Sequence, residues 1–320
     1  MEKIKSLKIV YMGTPRFSAD LLSLLIADGY NIIGVITQKD APVGRKKILT
    51  PSPVKEVGLR HNIPVYTPHK IRHEYDFLLK LKPDLILTFA YGQIVPRAVL
   101  EAPLYKALNF HGSILPKYRG ASPIQMALIN NEKETGVTLM EMVEKMDAGA
   151  IFGVEKFPLS PSDNFKTVSD QMVKASFKLV KEVLPSVISG KNKGSPQDEA
   201  KVTYAPLLKA IDEALNLEED ATNLVLGKIQ AFSPEPGVNV SYFNETLKIY
   251  AARLLNKKVN KPIGTLFIDD QHNLVIQLKD GQIKVLKLQK SGKKIVDAKS
   301  FINGERQKLP TILKTKGRNE

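Results

Sequence analysis

The sequence predicts a doubly wound α/β domain built on a mostly parallel sheet, followed by a small all-β domain. Three observations carry that prediction. Over roughly the first 190 residues, strand-length apolar runs alternate with segments whose apolar residues recur at helical spacing. The stretch Ser189-Gly190-Lys191-Asn192-Lys193-Gly194-Ser195-Pro196 then has linker composition. Beyond it, short strand patterns follow one another with turn residues between them.

Taken in order, Leu7–Met12 reads as a buried strand that breaks at Gly13-Thr14-Pro15, and Phe17, Leu21, Leu24 and Leu25 then recur at helical spacing. Asn31–Thr37 is a second strand and Pro64-Val65-Tyr66 a short third. Asp84–Ala90 is an almost continuous apolar run, as expected where both faces of a parallel sheet are covered. Ala107–Phe110 is another strand, followed by a helix from about Ser122 to Asn131. Thr135–Val143 and Ala150–Phe157 form a strand pair, and Phe165–Ile188 a long closing helix. After the linker, a helix over about Asp220–Ile229 precedes strands at Val238–Phe243, Leu247–Ala251, Ile263–Ile268, Leu274–Leu278 and Ile283–Leu288. Strands this closely spaced suggest a small barrel, with a five-stranded, OB-like barrel as one candidate. The division is therefore 1–189, a linker at 190–206, and 207–320.

A chain of 320 residues that is 43% hydrophobic can bury two cores. Its formal net charge of +14 favours polyanionic partners, although a Lys-rich proteome gives basic enzymes without any nucleic-acid role. The surplus is uneven: Lys248–Glu320 carries seventeen Lys/Arg against six Asp/Glu. A barrel so charged suits phosphate contact, and a solvated face with a basic tail explains the same numbers. The absence of cysteine excludes disulfides, thiolate nucleophiles and Cys-type zinc sites. The apolar run near the N-terminus is too short for a signal-peptide core, and no window approaches the roughly 20 apolar residues of a membrane span, so the chain is expected to be soluble and cytoplasmic.

Gly13-Thr14-Pro15 stands where a nucleotide-binding fold would carry G-x-G-x-x-G, and its interruption argues against a dinucleotide cofactor. In Asn109-Phe110-His111-Gly112, strand alternation puts Asn109 and His111 on one face, at the carboxyl end where open α/β sheets bind ligands. An amide donor beside an imidazole is what acyl transfer to an amine requires, since Asn can donate to a developing oxyanion and His can take the amine proton. Taken alone, Asn-x-His is a weak motif, and a structural histidine is the commoner explanation. Asp147, in Met146-Asp147-Ala148-Gly149, is either ordinary turn chemistry or the carboxylate that orients His111. Lys39–Arg60 holds Gly44-Arg45-Lys46-Lys47, a loop that suits phosphates or is a charged surface loop. Downstream, Ser52 can cap a helix containing Val54 and Val57.

Together these pieces resemble the methionyl-tRNA formyltransferase family over nearly the whole chain. The carrying residues are Met12-Gly13-Thr14-Pro15, Gly44–Lys47 with Pro51-Ser52-Pro53-Val54-Lys55, Ala90-Tyr91-Gly92, Asn109–Gly120 (NFHGSILPKYRG), Ala121–Gln125, Glu134–Thr138 and Met146–Gly149. The resemblance implies a formyltransferase-type fold and a catalytic trio of Asn109, His111 and Asp147. It implies a folate site lined by Phe89, Ala90, Tyr91 and Gly92 with Ser113, Ile114, Leu115 and Pro116. The formyl donor would be 10-formyltetrahydrofolate, the acceptor initiator methionyl-tRNA, with no metal, and a monomer is expected. Arg45, Lys46 and Lys47 would meet the acceptor stem, with Arg45 at the key basic position. In the C-terminal part, Gln230–Gly237 resembles the family's Arg-Ala-Phe-Asn-Pro-Trp-Pro-Gly but has Gln230 for Arg and Glu235 for Trp, and Leu217 stands where a Trp is usual. Sugar N-formyltransferases look similar around Asn109, His111 and Asp147, so transfer to a nucleotide-linked amino sugar is the alternative activity.

Overall fold

The structure, a computed structural model, describes residues 2–44, 46–255 and 260–315. The chain divides into two compact units. The first comprises Met1–Pro123, Thr135–Phe157 and Ser169–Ala205, and the second Ile124–Glu134, Pro158–Val168 and Pro206–Glu320.

The first unit is built on strands β1 (Ile9–Gly13), β2 (Ile32–Ile36), the short hairpin β3 (Ala41–Val43) and β4 (Ile48–Thr50), then β5 (Val65–Tyr66), β6 (Leu85–Phe89), β7 (Lys106–His111), β8 (Arg119–Gly120), β9 (Glu134–Glu141), β10 (Ile151–Pro158) and β11 (Tyr204–Ala205). Seven of them form one sheet in the order β10-β9-β7-β6-β1-β2-β5. Pairing is parallel from β7 through β5, and β9 runs antiparallel to β7. Every residue of β1 and β6 is buried, which explains why their sequences are continuous rather than alternating. Side chains separate by strand parity. Val10, Met12, Ile36, Ile86 and Ala107 pack on one face with Ile71, Leu78 and Val99, while Phe89 meets Phe17 and Phe110 edge-on at ring-centroid distances of 4.8 and 6.2 Å. The chain leaves β1 toward β2 and β5, then returns to β6 on the other side of β1. The order therefore reverses at β1 and β6, and it is outside the carboxyl ends of strands at such a reversal that sheets of this type bind ligands.

The second unit contains β12 (Val238–Tyr242), β13 (Glu245–Leu255), β14 (Thr265–Ile268), β15 (Leu274–Gln277), β16 (Gln282–Lys290), β17 (Val296–Asp297) and β18 (Thr311–Ile312). They form an antiparallel curled sheet in the order β12-β13-β16-β15-β14-β18, with β17 on β16. After β18, Lys314 exchanges backbone hydrogen bonds of 2.8 and 3.1 Å with Ser241 of β12, so one bridge joins the two edges. Leu217 is 1% exposed and fills an apolar position; Glu235 lies exposed on a turn, and Gln230 donates to the Pro161 carbonyl at 2.9 Å.

Several elements differ from the sequence expectation. The long helix stops at Glu182 and resumes as Leu184–Ile188, because Pro185 lacks an N–H and its ring crowds the preceding turn. The β3–β4 hairpin forms within the loop read only as basic. Residues 195–205, inside the expected linker, join the first unit: Ser195 bridges Ile151, and β11 pairs with β8. Ser52 does cap its helix, accepting from the Lys55 N–H at 3.0 Å with Pro53 behind it.

The helix Thr222–Ala231 gives a stability test. A Cβ on Gly227 would stand 2.6 Å from the Leu128 carbonyl oxygen and 2.7 Å from that of Ile129, both backbone. Gly227→Ala should therefore destabilise by about 1–3 kcal/mol through overpacking, against the gain of up to about 1 kcal/mol that alanine brings to an open helix. Chemical denaturation checks the sign, and a stabilised variant would contradict this packing.

Candidate active site

Asn109 and His111 end β7 on the face that also carries Ala107, opposite Phe110. The polar pair therefore points away from the phenylalanine cluster. His111 is 5% exposed, and its Nε2 lies 2.8 Å from the Tyr118 carbonyl oxygen. A carbonyl can only accept, so Nε2 carries the hydrogen and Nδ1 is left as the ring's basic nitrogen. Nδ1 in turn stands 3.6 Å from Asp147 Oδ1. The other carboxylate oxygen, Oδ2, accepts from the Gly120 N–H at 2.9 Å. Among the described residues, no group bonds the side-chain amide of Asn109, which is half-buried beside this pair.

The loop after β7 is strapped to β9. Thr138, directly opposite His111 in the β7–β9 register, donates to the Ser113 carbonyl at 2.7 Å and accepts from the Leu115 N–H at 3.1 Å. The Ser113 hydroxyl closes the turn on the Lys117 carbonyl at 2.6 Å, and Ile114 and Pro116 stay partly exposed. Ser113 and Leu115 are buried, so their side chains support the loop from within.

At the end of β6, Ala90 and Gly92 take left-handed backbone with φ of 53° and 88° and are exposed, while Tyr91 between them is buried. The Tyr91 carbonyl accepts from Thr14 Oγ1 at 2.9 Å and Gln38 Nε2 at 3.1 Å, so residues ending β1 and β2 hold this turn. Burial pushes the Tyr91 hydroxyl well above its ordinary value. Phe89 belongs to the ring cluster, so its side chain is core and only its backbone faces the turn.

On the hairpin, Lys46 and Lys47 are exposed at the tip with Val43, Ile48 and Leu49. Arg45 lies outside the described residues.

Sequence reasoning assigns no role to Tyr118, Arg119 or Gln197, which the structure places in contact with His111, with one another or with the Asp147 turn. Arg119 is 1% exposed; its guanidinium meets Gln197 Oε1 at 3.0 and 2.8 Å and Glu199 Oε1 at 2.8 Å. Glu199 also pairs with Lys145 at 2.8 Å. Arg119 first, then Lys145, holds the Glu199 carboxyl down at about 2. Since that value lies below the ordinary 4.5 of a glutamate, the stabilisation is present above about pH 4.5 and fades as pH falls toward 2. Gly120, with φ of 120°, lies so near β11 that a Cβ would stand 2.5 Å from the Ala205 carbonyl oxygen. No sequence signal points to these contacts, because Gln197 and Ala205 lie about 80 residues downstream in linker-like composition.

Known proteins match this architecture along its length. The family described as "Formyl transferase" matches residues 7–187, and "Formyl transferase, C-terminal domain" matches residues 208–306. The methionyl-tRNA formyltransferase of Staphylococcus epidermidis is 40% identical over 305 residues, covering 94% of this chain and 97% of its own length. That of Bacillus subtilis is 38% identical over 309 residues, with 96% and 97% covered. Among solved structures, HypX from Aquifex aeolicus in complex with tetrahydrofolic acid is similar with a TM-score of 0.66 at 20% identity, over 95% of this chain and 48% of its own. An N-formyltransferase from Helicobacter canadensis, in complex with folinic acid and dTDP-3-aminofucose, gives 0.65 at 21% identity, over 89% and 99%. Below 25% identity these two structures speak for the fold alone. With both domain matches in place and relatives near 40% identity over almost their full length, the chain belongs to the methionyl-tRNA formyltransferase family.

Proposed function

We propose that the site transfers the formyl group of 10-formyltetrahydrofolate to the methionine amino group of initiator methionyl-tRNA, supporting translation initiation in the cytoplasm. That the chain is a formyltransferase follows from its family. The observation that carries the residue roles is the polar constellation at the end of β7: an unengaged amide on Asn109, and His111 with Nε2 committed to Tyr118 and Nδ1 facing Asp147.

The amine attacks the formyl carbon, and the oxygen becomes an oxyanion. The Asn109 amide donates to that oxygen. His111 Nδ1 takes the proton that the attacking nitrogen must lose, and the ring returns it to the folate nitrogen as the old C–N bond breaks. In between, the ring is cationic, and the Asp147 carboxylate balances it. A charge pair near 4 Å is worth about 4 kcal/mol at an effective dielectric of about 20, enough to matter for a transient imidazolium. Ala90 and Gly92 with Ile114 and Pro116 are the exposed positions for the folate, with Phe89, Tyr91, Ser113 and Leu115 supporting them. Lys46 and Lys47, with Arg45, face the acceptor stem in this reading.

The first test is the acceptor: incubation with 10-formyltetrahydrofolate and either initiator or elongator Met-tRNA should give formyl-methionine preferentially on the initiator. Transfer to a nucleotide-linked amino sugar, with none to Met-tRNA, would overturn the assignment. Asn109→Ala or His111→Ala should lower kcat by about two to three orders of magnitude with folate affinity little changed; near-parental turnover in either would remove that residue from the mechanism. For the hairpin, Lys46→Ala with Lys47→Ala should reduce kcat/KM for Met-tRNA at constant folate affinity. The log–log salt dependence should flatten by about 0.9 per lost phosphate contact, by the duplex-DNA value. An unchanged salt slope would make the hairpin a bystander.

A further inference from the structure

We propose that Gln197 and Arg119 are positioning residues for Asp147, which makes residues 195–205 a working part of the transfer site. The inference rests on the roles given above to His111 and Asp147. It begins with the Asp147 backbone, whose φ of 50° lies in the left-handed region. A non-glycine residue is disfavoured there, and keeps that conformation only where its surroundings over-determine it.

The surroundings are specific. Gln197 Nε2 donates to the Asp147 carbonyl at 2.8 Å and to the Gly149 carbonyl at 2.8 Å, pinning both sides of the turn. Gln197 Oε1 accepts from Arg119 Nε at 3.0 Å and Nη2 at 2.8 Å. This amide can point only one way, since the carbonyls have no hydrogen to give and the guanidinium has no lone pair to offer. Arg119 is buried, with Glu199 as its counter-charge. The backbone around it is also held from this segment: the Tyr118 N–H donates to Thr203 Oγ1 at 2.9 Å and the Arg119 N–H to the Thr203 carbonyl at 2.9 Å.

Three consecutive residues thus serve the site together. The Tyr118 carbonyl fixes His111, Arg119 holds Gln197 and through it the Asp147 turn, and the Gly120 N–H holds the Asp147 carboxylate. The 3.6 Å separation of His111 Nδ1 from Asp147 is set by this frame. Displacing a reacting group by about 1 Å can cost about a hundredfold in rate, so loosening one corner should appear in turnover before it appears in binding.

Gln197→Glu separates positioning from bulk stability. It keeps an acceptor for Arg119 but has no donor for the two carbonyls. Gln197→Met keeps the shape and removes both functions, and it carries the test if the Glu variant does not fold. Each should lower kcat about tenfold to a hundredfold, with KM for Met-tRNA and folate affinity held within about twofold. In an Asp147→Asn background the same substitution should cost little more, because both changes act on one group. Parental kcat in both Gln197 variants, or a loss that multiplies in full with Asp147→Asn, overturns the proposal while leaving the trio intact. Parental kcat in Asp147→Asn alone would instead bring down the catalytic reading, and this inference with it.

Discussion

The hydrogen bond between His111 Nε2 and the Tyr118 carbonyl is the constraint on which the site depends. A ring held at one nitrogen presents the other to whatever lies beyond it, and here that is Asp147. Without the Tyr118 contact, either nitrogen could carry the hydrogen and the ring could turn away from the carboxylate that Gly120 holds in place. The contact exists because the chain doubles back after β7. His111 and Tyr118 are bridged by a loop that Thr138 ties to β9, and Tyr118 itself takes left-handed backbone with φ of 62° to aim its carbonyl at the ring. The arrangement of His111 and Asp147 therefore rests on main-chain groups of Tyr118 and Gly120, more than on those residues' side chains.

That geometry is embedded in a sheet whose topology already selects the location. The reversal of strand order at β1 brings the ends of β1, β2, β6 and β7 to one edge. Thr14, Gln38, Ala90–Gly92 and Asn109–His111 all stand there, from four separate strands. Buried, both-sided strands make the edge rigid, and the left-handed turns at Ala90 and Gly92 and at Asp147 supply the shape that regular strands cannot. The second unit contributes a different kind of surface, an antiparallel curled sheet from a lysine-rich sequence.

Much of this was legible in the sequence. Continuous apolar runs mark β1, β2 and β6 because burial on both faces leaves no polar positions, and strand parity alone places Asn109 with His111. Ser52 before Pro53 announced a helix start through its capping chemistry. What escaped was whatever depended on long separation or on two-residue elements. Pairing of β8 with β11 leaves no periodicity to detect, and Gln197 sits in a stretch whose Gly, Ser, Lys and Pro content reads as a tether. The break before Leu184 was present in the sequence as Pro185, but the apolar spacing on either side continues through it. The resemblance implies Phe89 at the folate site, and what no motif conveys is that its ring packs with Phe17 and Phe110.

The proposed proton path depends on which nitrogen of His111 carries the hydrogen while the ring is neutral. Nitrogen-15 NMR of the full-length protein, with the His111 signals assigned through His111→Gln, reads this directly. The structure predicts the Nε2–H tautomer, with Nδ1 unprotonated beside Asp147. A neutral ring found as the Nδ1–H tautomer would mean that the Tyr118 carbonyl does not hold it, and the proton path assigned to Nδ1 would fall.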